Sequence, residues 1–506
     1  MIRWPISYPF ALIVALLAIL PVVVLFVLAS DSVQFFDAHN LKVLYNTLLL
    51  MFMTLIGAVI IGVPLAFLTT YIQLPMQRFW IVLYIAPLAM PSYLGAFTFY
   101  AAFGPGGEIK NLIGLSTPSI DGLFGAAIIM SLYTYPFVLL TTRAALSSLD
   151  ASQVYAARTL GLSLAKSLWR VVLPRIVNGI AAGALLAAMY ALSDFGTPAI
   201  MGLDTFTRVI YVEYNSFGLA QAAMLSIQLL VVVGLVLFVE SRIKGTQEKP
   251  SQHLLFFPKP MQLTGMLLST APVIILSIIL PLAIFFLWLW RDGAGHFDLS
   301  IAWNSAHASI LAAVVAVILA LPLAFAAIAG KLGRLLERIA FVGFGVPGIV
   351  MGTALVYVGL QLPFLYQTLG LLVLAYVLRF IPLAVSSIRA KTESLDGSLV
   401  NAARVLGANR YEALRRITLP LSMRGIIAGA ALVFLESMRE LPATLLLGPT
   451  GFETLATYLW RVYEAGYFGR AAIPGLLLIL ISAIALTIML SGEAGVKTKL
   501  TKGPSK

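Results

Sequence analysis

Two stretches of this 506-residue chain, 246 positions apart, carry nearly the same sequence. Residues 149–174 read LDASQVYAARTLGLSLAKSLWRVVLP, and residues 395–420 read LDGSLVNAARVLGANRYEALRRITLP. Laid over each other without a gap, 13 of the 26 positions are identical. Any fold for this chain must therefore place two like units equivalently. Both stretches are basic islands in an apolar chain, where hydrophobic residues make up 60% and charged residues 11%. A soluble chain carries about a quarter charged residues.

The charge deficit runs along the whole length, which predicts a polytopic membrane protein rather than an anchored soluble domain. Residues 10–29 and 471–490 are uncharged runs, each long enough to cross a bilayer core of about 30 Å as a helix. The segments are long and lack the two-residue alternation of barrel strands, so the expected fold class is all-α. We place twelve spans at 7–29, 42–71, 78–103, 122–143, 176–197, 217–240, 263–290, 303–329, 335–360, 365–388, 422–447 and 471–491. The first could be read as a cleaved signal segment, since Arg3 precedes an apolar run ending Leu28-Ala29-Ser30. Its length and the lack of a following soluble domain favour a retained span.

A net charge of +12 invites a nucleic-acid reading, but its distribution opposes one. With these spans, the segments on the N-terminal side sum to +18 and those on the opposite side to −6. The Lys/Arg-rich side is cytoplasmic by the positive-inside rule. Both termini and both islands are expected there. The chain has no cysteine, which excludes disulfides, thiolate metal sites and a cysteine nucleophile.

The duplication extends beyond the islands. Pro64-Leu65-Ala66-Phe67 recurs as Pro322-Leu323-Ala324-Phe325, each eighteen residues after an Asn (Asn46, Asn304). The expectation is two parallel six-helix repeats, residues 1–245 and 263–506, joined by a cytoplasmic linker at 246–262. Prolines 64, 87, 91, 322 and 347 fall inside spans, where each can kink or break its helix.

Within the islands, Asp150 and Asp396 suit N-caps. Val154, Leu160, Leu164, Leu168 and Val171 then form an apolar stripe, as do Val400, Ala403, Leu406, Leu414 and Ile417. These are amphipathic helices too charged to cross. Gly161 and Gly407 interrupt them at matching places, which predicts a bend. Pro174 and Pro420 open the following span. An interfacial helix on anionic lipid explains one such island. Two copies at matching places point instead to a two-fold symmetric soluble partner.

From a helix start through Ala-Ala and Leu-Gly to a Leu-Pro ending, each island resembles the "EAA" loop of binding-protein-dependent ABC importer permeases. The resemblance implies a type I importer-like fold whose loops, here 143–175 and 389–421, dock cytoplasmic ATPases. It implies coupling roles for Asp150, Ala156, Ala157, Arg158 and Gly161, and for Asp396, Ala402, Ala403, Arg404 and Gly407. The family's glutamate is Tyr155 in one copy and Asn401 in the other, so no carboxylate contact carries over. Residues 440–448 with 450–456, and Ser193-Asp194-Phe195-Gly196-Thr197-Pro198, are similar to ferric-iron permeases of the fused, two-half type. Thiamine and aminoethylphosphonate permeases look similar.

The resemblance implies a cytoplasmic ABC ATPase dimer, a periplasmic solute-binding protein and membrane lipid as partners, with no nucleic acid. The location implied is the bacterial inner membrane. No G-x-x-x-x-G-K-[ST] occurs, so ATP is expected to be used by the partner, with no cofactor bound here and no enzymatic role. There is no H-E-x-x-H, and His39, His253, His296 and His307 are scattered. An ion-coupled secondary transporter is the competing class. Such carriers show ionisable residues within spans, whereas Asp194, Glu240, Arg379 and Glu436 fall near expected span ends. For a cation path the candidates are Asp194, Glu436 and Glu440, with the alternative that they cap helices or pair with Arg439.

Overall fold

The computed structural model describes residues 7–30, 37–114, 120–243, 256–293, 297–395 and 397–497. Arg3, linker residues Lys244, Glu248, Lys249 and Pro250, His253, His296 and the expected cap Asp396 lie outside the described residues. Among those described, the regular elements are helices, with one isolated bridge between Ile72 and Phe256. Among the described residues ten helices are long and apolar enough to cross a membrane, and two further pairs would each make a span that is sharply bent. The protein is a multi-pass membrane protein.

The expected third span of each half is not one helix. Gln77–Ala89 meets Ser92–Leu112 at 88°, and Lys331–Gly345 meets Gly348–Gln361 at 102°. The breaks fall at Pro91 and Pro347, whose backbones are extended (ψ 141 and 148). Proline's missing N–H and locked φ remove the bond that would carry the helix on. Pro64 and Pro322, by contrast, lie within continuous helices, Ala38–Tyr71 and Leu299–Ala329.

The fifth spans also differ from expectation. Leu173–Ser193 and Leu419–Met438 stop short of residues 197 and 447, and each is followed by a short helix, Gly196–Ile200 or Pro442–Leu447. At their other ends they begin earlier, inside the islands. A π-turn at Leu168–Val172, matched at Leu414–Thr418, joins island to span. In each, the residue before proline bonds five residues back, Leu173 N–H to the Leu168 carbonyl and Leu419 N–H to that of Leu414. The wider turn accommodates the proline ring, which would clash with the carbonyl four residues back.

The two halves repeat in their contacts as well as in sequence. Asn46 Nδ2 donates to the Asp204 carbonyl (3.0 Å), and Asn304 Nδ2 to that of Glu453 (3.2 Å). Next to each, Thr47 Oγ1 accepts from Phe206 N–H (3.0 Å) and Ser305 Oγ from Leu455 N–H (2.6 Å). Each pair ties the second span to the loop after the short re-entrant helix that follows the fifth span, Gly196–Ile200 or Pro442–Leu447. Small residues let the fifth span lie close on the fourth. A Cβ on Gly179 would press Ala145, and one on its counterpart Gly425 would press Lys391 and the Ser387 carbonyl. Four residues on, Gly183 lies against Thr141 and Val138, and Gly429 against Ala384. Such a G-x-x-x-G spacing suits lipid-embedded packing, where close approach replaces the hydrophobic drive.

The first helix of each half crosses to the other. Ser7–Ala29 packs on Leu299–Ala329, Lys331–Gly345 and Gly348–Gln361. Reciprocally, Leu280–Asp292 packs on Ser92–Phe103. There Glu108 accepts from Trp288 Nε1 (2.8 Å) and pairs with Arg291 (3.0 Å), and farther along Tyr84 bonds Thr270 (2.9 Å).

Candidate functional site

Two places collect the residues singled out by the sequence. The first is the pair of islands. Asp150 accepts from Ser152 N–H (2.9 Å) at the start of the helix Ser152–Thr159, the expected capping role. The helix ends at a left-handed glycine, with φ +88° at Gly161 and +92° at Gly407. Leu162 N–H reaches the Ala157 carbonyl (3.1 Å) and Gly161 N–H that of Arg158 (3.0 Å). In the second copy Ala408 N–H reaches Ala403 (3.0 Å) and Gly407 N–H reaches Arg404 (3.1 Å). Both are Schellman closures, which need a residue without a Cβ penalty. The predicted bend is therefore present twice.

After the turn a new helix starts. In the second copy it is capped reciprocally, Asn409 Oδ1 accepting from Glu412 N–H (2.8 Å) and Glu412 Oε2 from Asn409 N–H (3.1 Å). One part of the expected apolar stripe is wrong. Val154 is buried, but Leu160 and Leu406 are 86% and 87% exposed. The glycine turn carries them away from the body of the protein. Ala156, Arg158, Ala402 and Arg404 are exposed beside them, Ala403 is half-buried and Ala157 is buried. Each island thus presents an exposed leucine at its tip with an exposed arginine two residues before it.

The second place is a pocket where three helix breaks meet. Its walls include Pro91, Tyr93, Tyr190, Ser193 and Asp194 from the first half, and Arg379, Glu436, Arg439 and Glu440 from the second. All three acids proposed for a cation path line it, and Asp194 and Glu440 occupy equivalent positions at the offset of 246. The cavity is about 60 Å³, room for a water or two. A path through this point is closed here.

The alternative that the acids cap helices or pair with Arg439 holds for Glu436, which pairs with Arg439, and for Glu440 as a cap, but the charge of Glu440 finds a different partner. Glu440 pairs with Arg379 (2.6 Å), not with its neighbour Arg439, and both side chains are largely buried (6% and 13% exposed). Glu440 also accepts from Ala443 N–H (3.2 Å), so it caps the re-entrant helix as well. A Cβ on Gly348 would overlap both charged groups, so only glycine fits against this pair. Arg439 pairs with Glu436 and donates to the Leu88 carbonyl (2.7 Å). Asp194 accepts from Ser92 Oγ (2.9 Å), which accepts from the Tyr190 hydroxyl (3.3 Å). Among the described residues Asp194 has no salt-bridge partner, and the buried Tyr93 hydroxyl has no hydrogen-bond partner.

Sequence reasoning named Arg439 as a partner for the acids but missed the role of Arg379 and of the hydroxyl groups. Arg379 was expected near a span end, yet it lies near the middle of the 25-residue helix Leu369–Glu393. The signal available was an arginine in an apolar run with no acid beside it, which must find one on another helix. Among the described residues no three carboxylate or imidazole groups converge as a metal-ligand set.

Comparison with known proteins bears on both places. The family described as "Binding-protein-dependent transport system inner membrane component" matches residues 58–245 and again 315–492. An Fe(3+)-transport system permease protein of Haemophilus influenzae is 31% identical over 474 residues, covering 90% of each chain. A probable ABC transporter permease protein of Sinorhizobium fredii is 26% identical over 499 residues, covering 89% of this chain and 87% of that one. A molybdate/tungstate transport system permease protein of Pyrococcus furiosus is 28% identical over 188 residues, 37% of this chain and 70% of its own. Two matches within one chain, each spanning an island and a fifth span, show that it belongs to the binding-protein-dependent transport system inner membrane components and carries the family's unit twice.

Proposed function

We propose that this chain is the permease of an ATP-driven importer for ferric iron, taking its solute from a periplasmic binding protein and driven by a separate pair of ATPases. The observation that carries the reading is the pair of islands. Each has the same left-handed glycine turn and the same exposed leucine, Leu160 or Leu406, at its tip. Two identical knobs suit two identical grooves, as a homodimeric cytoplasmic ATPase offers. ATP would be hydrolysed there and not on this chain. Ferric iron is supported by the Haemophilus influenzae relative and by three carboxylates in one pocket, hard oxygen groups that suit such an ion.

Uptake by vesicles containing permease, ATPase and binding protein tests the assignment. ATP-dependent accumulation of ferric iron is expected, with none of thiamine or aminoethylphosphonate. Accumulation of either organic solute in place of iron would reassign the substrate and leave the coupling reading intact. Asp194 is the acid expected to meet the cation, since among the described residues it has no salt-bridge partner to neutralise it. Asp194→Asn should lower ferric-iron uptake about tenfold or more at subsaturating solute, loss of a full charge on the path outweighing the preserved shape. Permease abundance should not change. Unchanged uptake would take Asp194 off the path.

The reading also places both islands and both termini in the cytoplasm of a bacterial inner membrane, with residues 246–262 linking the halves on that side. Reporter fusions at Lys166 and Arg415 should report cytoplasm, and fusions at Gly107 and Asp204 the periplasm. Opposite sides for Lys166 and Arg415 would contradict two parallel halves.

A further inference from the structure

The Leu88 carbonyl lies on the last turn before the break at Pro91. A helical carbonyl there would bond the N–H three or four residues on. Position 91 is proline and has no N–H, and the chain leaves the turn at Met90 (ψ 122). The orphaned acceptor is taken by a residue 351 positions away, Arg439 of the second half, at 2.7 Å. The same guanidinium holds Glu436 with a second nitrogen, while Nε donates to its other oxygen at 3.1 Å. Arg439 is 12% exposed.

We propose that Arg439, held by Glu436, is a gate latch that fastens the two halves together across the transport path. The inference rests on reading this pocket as the path. Arg439 occupies the break after the fifth span of one half, and Leu88 the break in the third span of the other. Any separation of the halves here must stretch this bond. The Arg379–Glu440 pair, whose acid is buried more deeply, does not cross, because both residues belong to the second half. The latch also exists only once. At the offset of 246 Ser193 stands for Arg439 and Tyr190 for Glu436, and a serine cannot reach the opposite break. A fused chain can carry such a one-sided device, whereas two identical subunits would duplicate it.

The absence of cysteine makes the test direct. Ser193→Cys puts one thiol on the pocket wall, and a membrane-impermeant maleimide is applied to either side of vesicles containing the full transporter. In the parent background the thiol should label slowly. Adding Arg439→Met with Glu436→Gln removes both charges together and strands neither. Labelling should then rise about tenfold, the population change expected for losing one hydrogen bond to a charged donor. Arg379→Met with Glu440→Gln is the comparison, removing a buried pair that joins no two halves. It should leave labelling at the parent rate. Arg439→Lys keeps the ion pair without holding both partners, and gives the same direction of change should the double variant accumulate poorly. An equal rise with both pairs would reduce Arg439 to general packing, and no rise in the Arg439 variants would overturn the latch. No solute is involved, so neither result depends on iron being the substrate.

Discussion

Gly161→Leu combined with Gly407→Leu is expected to abolish ATP-driven uptake while leaving the permease in the membrane. Both glycines sit at φ near +90°, where an L-residue costs about 1–2 kcal/mol. A Cβ at either position meets nothing within 4 Å, so the penalty is purely one of backbone conformation and no core contact is disturbed. The Schellman turn would open, and Leu160 and Leu406 would leave the positions from which they project. Two such changes together are worth roughly 2–4 kcal/mol, or about thirtyfold to a thousandfold in docking-competent population. Copurification of the ATPase should fall in parallel with uptake. Gly161→Asn with Gly407→Asn is the informative partner, because asparagine tolerates the left-handed region and should retain much of the activity. Full uptake in the leucine variant would remove these turns from coupling.

Glu440→Gln should be the most damaging conservative change in the pocket, and its damage should be to folding. The acid pairs with Arg379 inside the protein, and removing one member of a buried pair costs about 3–5 kcal/mol because the other charge is stranded. The Ala443 N–H cap of the re-entrant helix is weakened in the same stroke. A lower thermal transition in detergent and reduced membrane abundance are expected. Arg379→Met with Glu440→Met should recover most of the loss, since replacing a whole buried pair by apolar groups is often neutral. A normal melting transition for Glu440→Gln alone would mean that the pair is far better solvated than its burial indicates. The contrast with Asp194→Asn separates the two equivalent acids, the one expected to act on stability and the other on uptake.

Much of this fold was written in local pattern. The apolar segments, the duplicated islands, the capping aspartate Asp150 and the bend at each glycine follow from length, periodicity and the conformational demands of a single residue. What escaped depends on distance across the molecule. A proline in an apolar run reads the same whether it kinks a helix, as Pro64 and Pro322 lie within theirs, or ends one, as at Pro91 and Pro347. The difference lies in what the freed carbonyl finds, and for Leu88 that is a side chain from the other half. Arg379 was set aside for the same reason, since its acid lies on another helix. Leu160 and Leu406 kept the period of a buried face, yet the glycine after each ends the helix and turns the side chain outward. Periodicity predicts a face only while the helix lasts.

The π-turns have a mechanical consequence. Because the wider turn absorbs the proline, residues 164–193 form one uninterrupted rod rather than a hinge at Pro174. At 1.5 Å per residue that rod is roughly 45 Å long, and a tilt of about 5° at one end sweeps the other through about 4 Å. One end is the island, and the other carries Tyr190 and Asp194. The same holds in the second half, where the rod from residue 410 ends next to Arg439. A sweep of that size exceeds the length of the Arg439–Leu88 bond. A small rotation imposed at the islands would therefore be delivered, magnified by leverage, to the contact between Arg439 and Leu88 that joins the two halves.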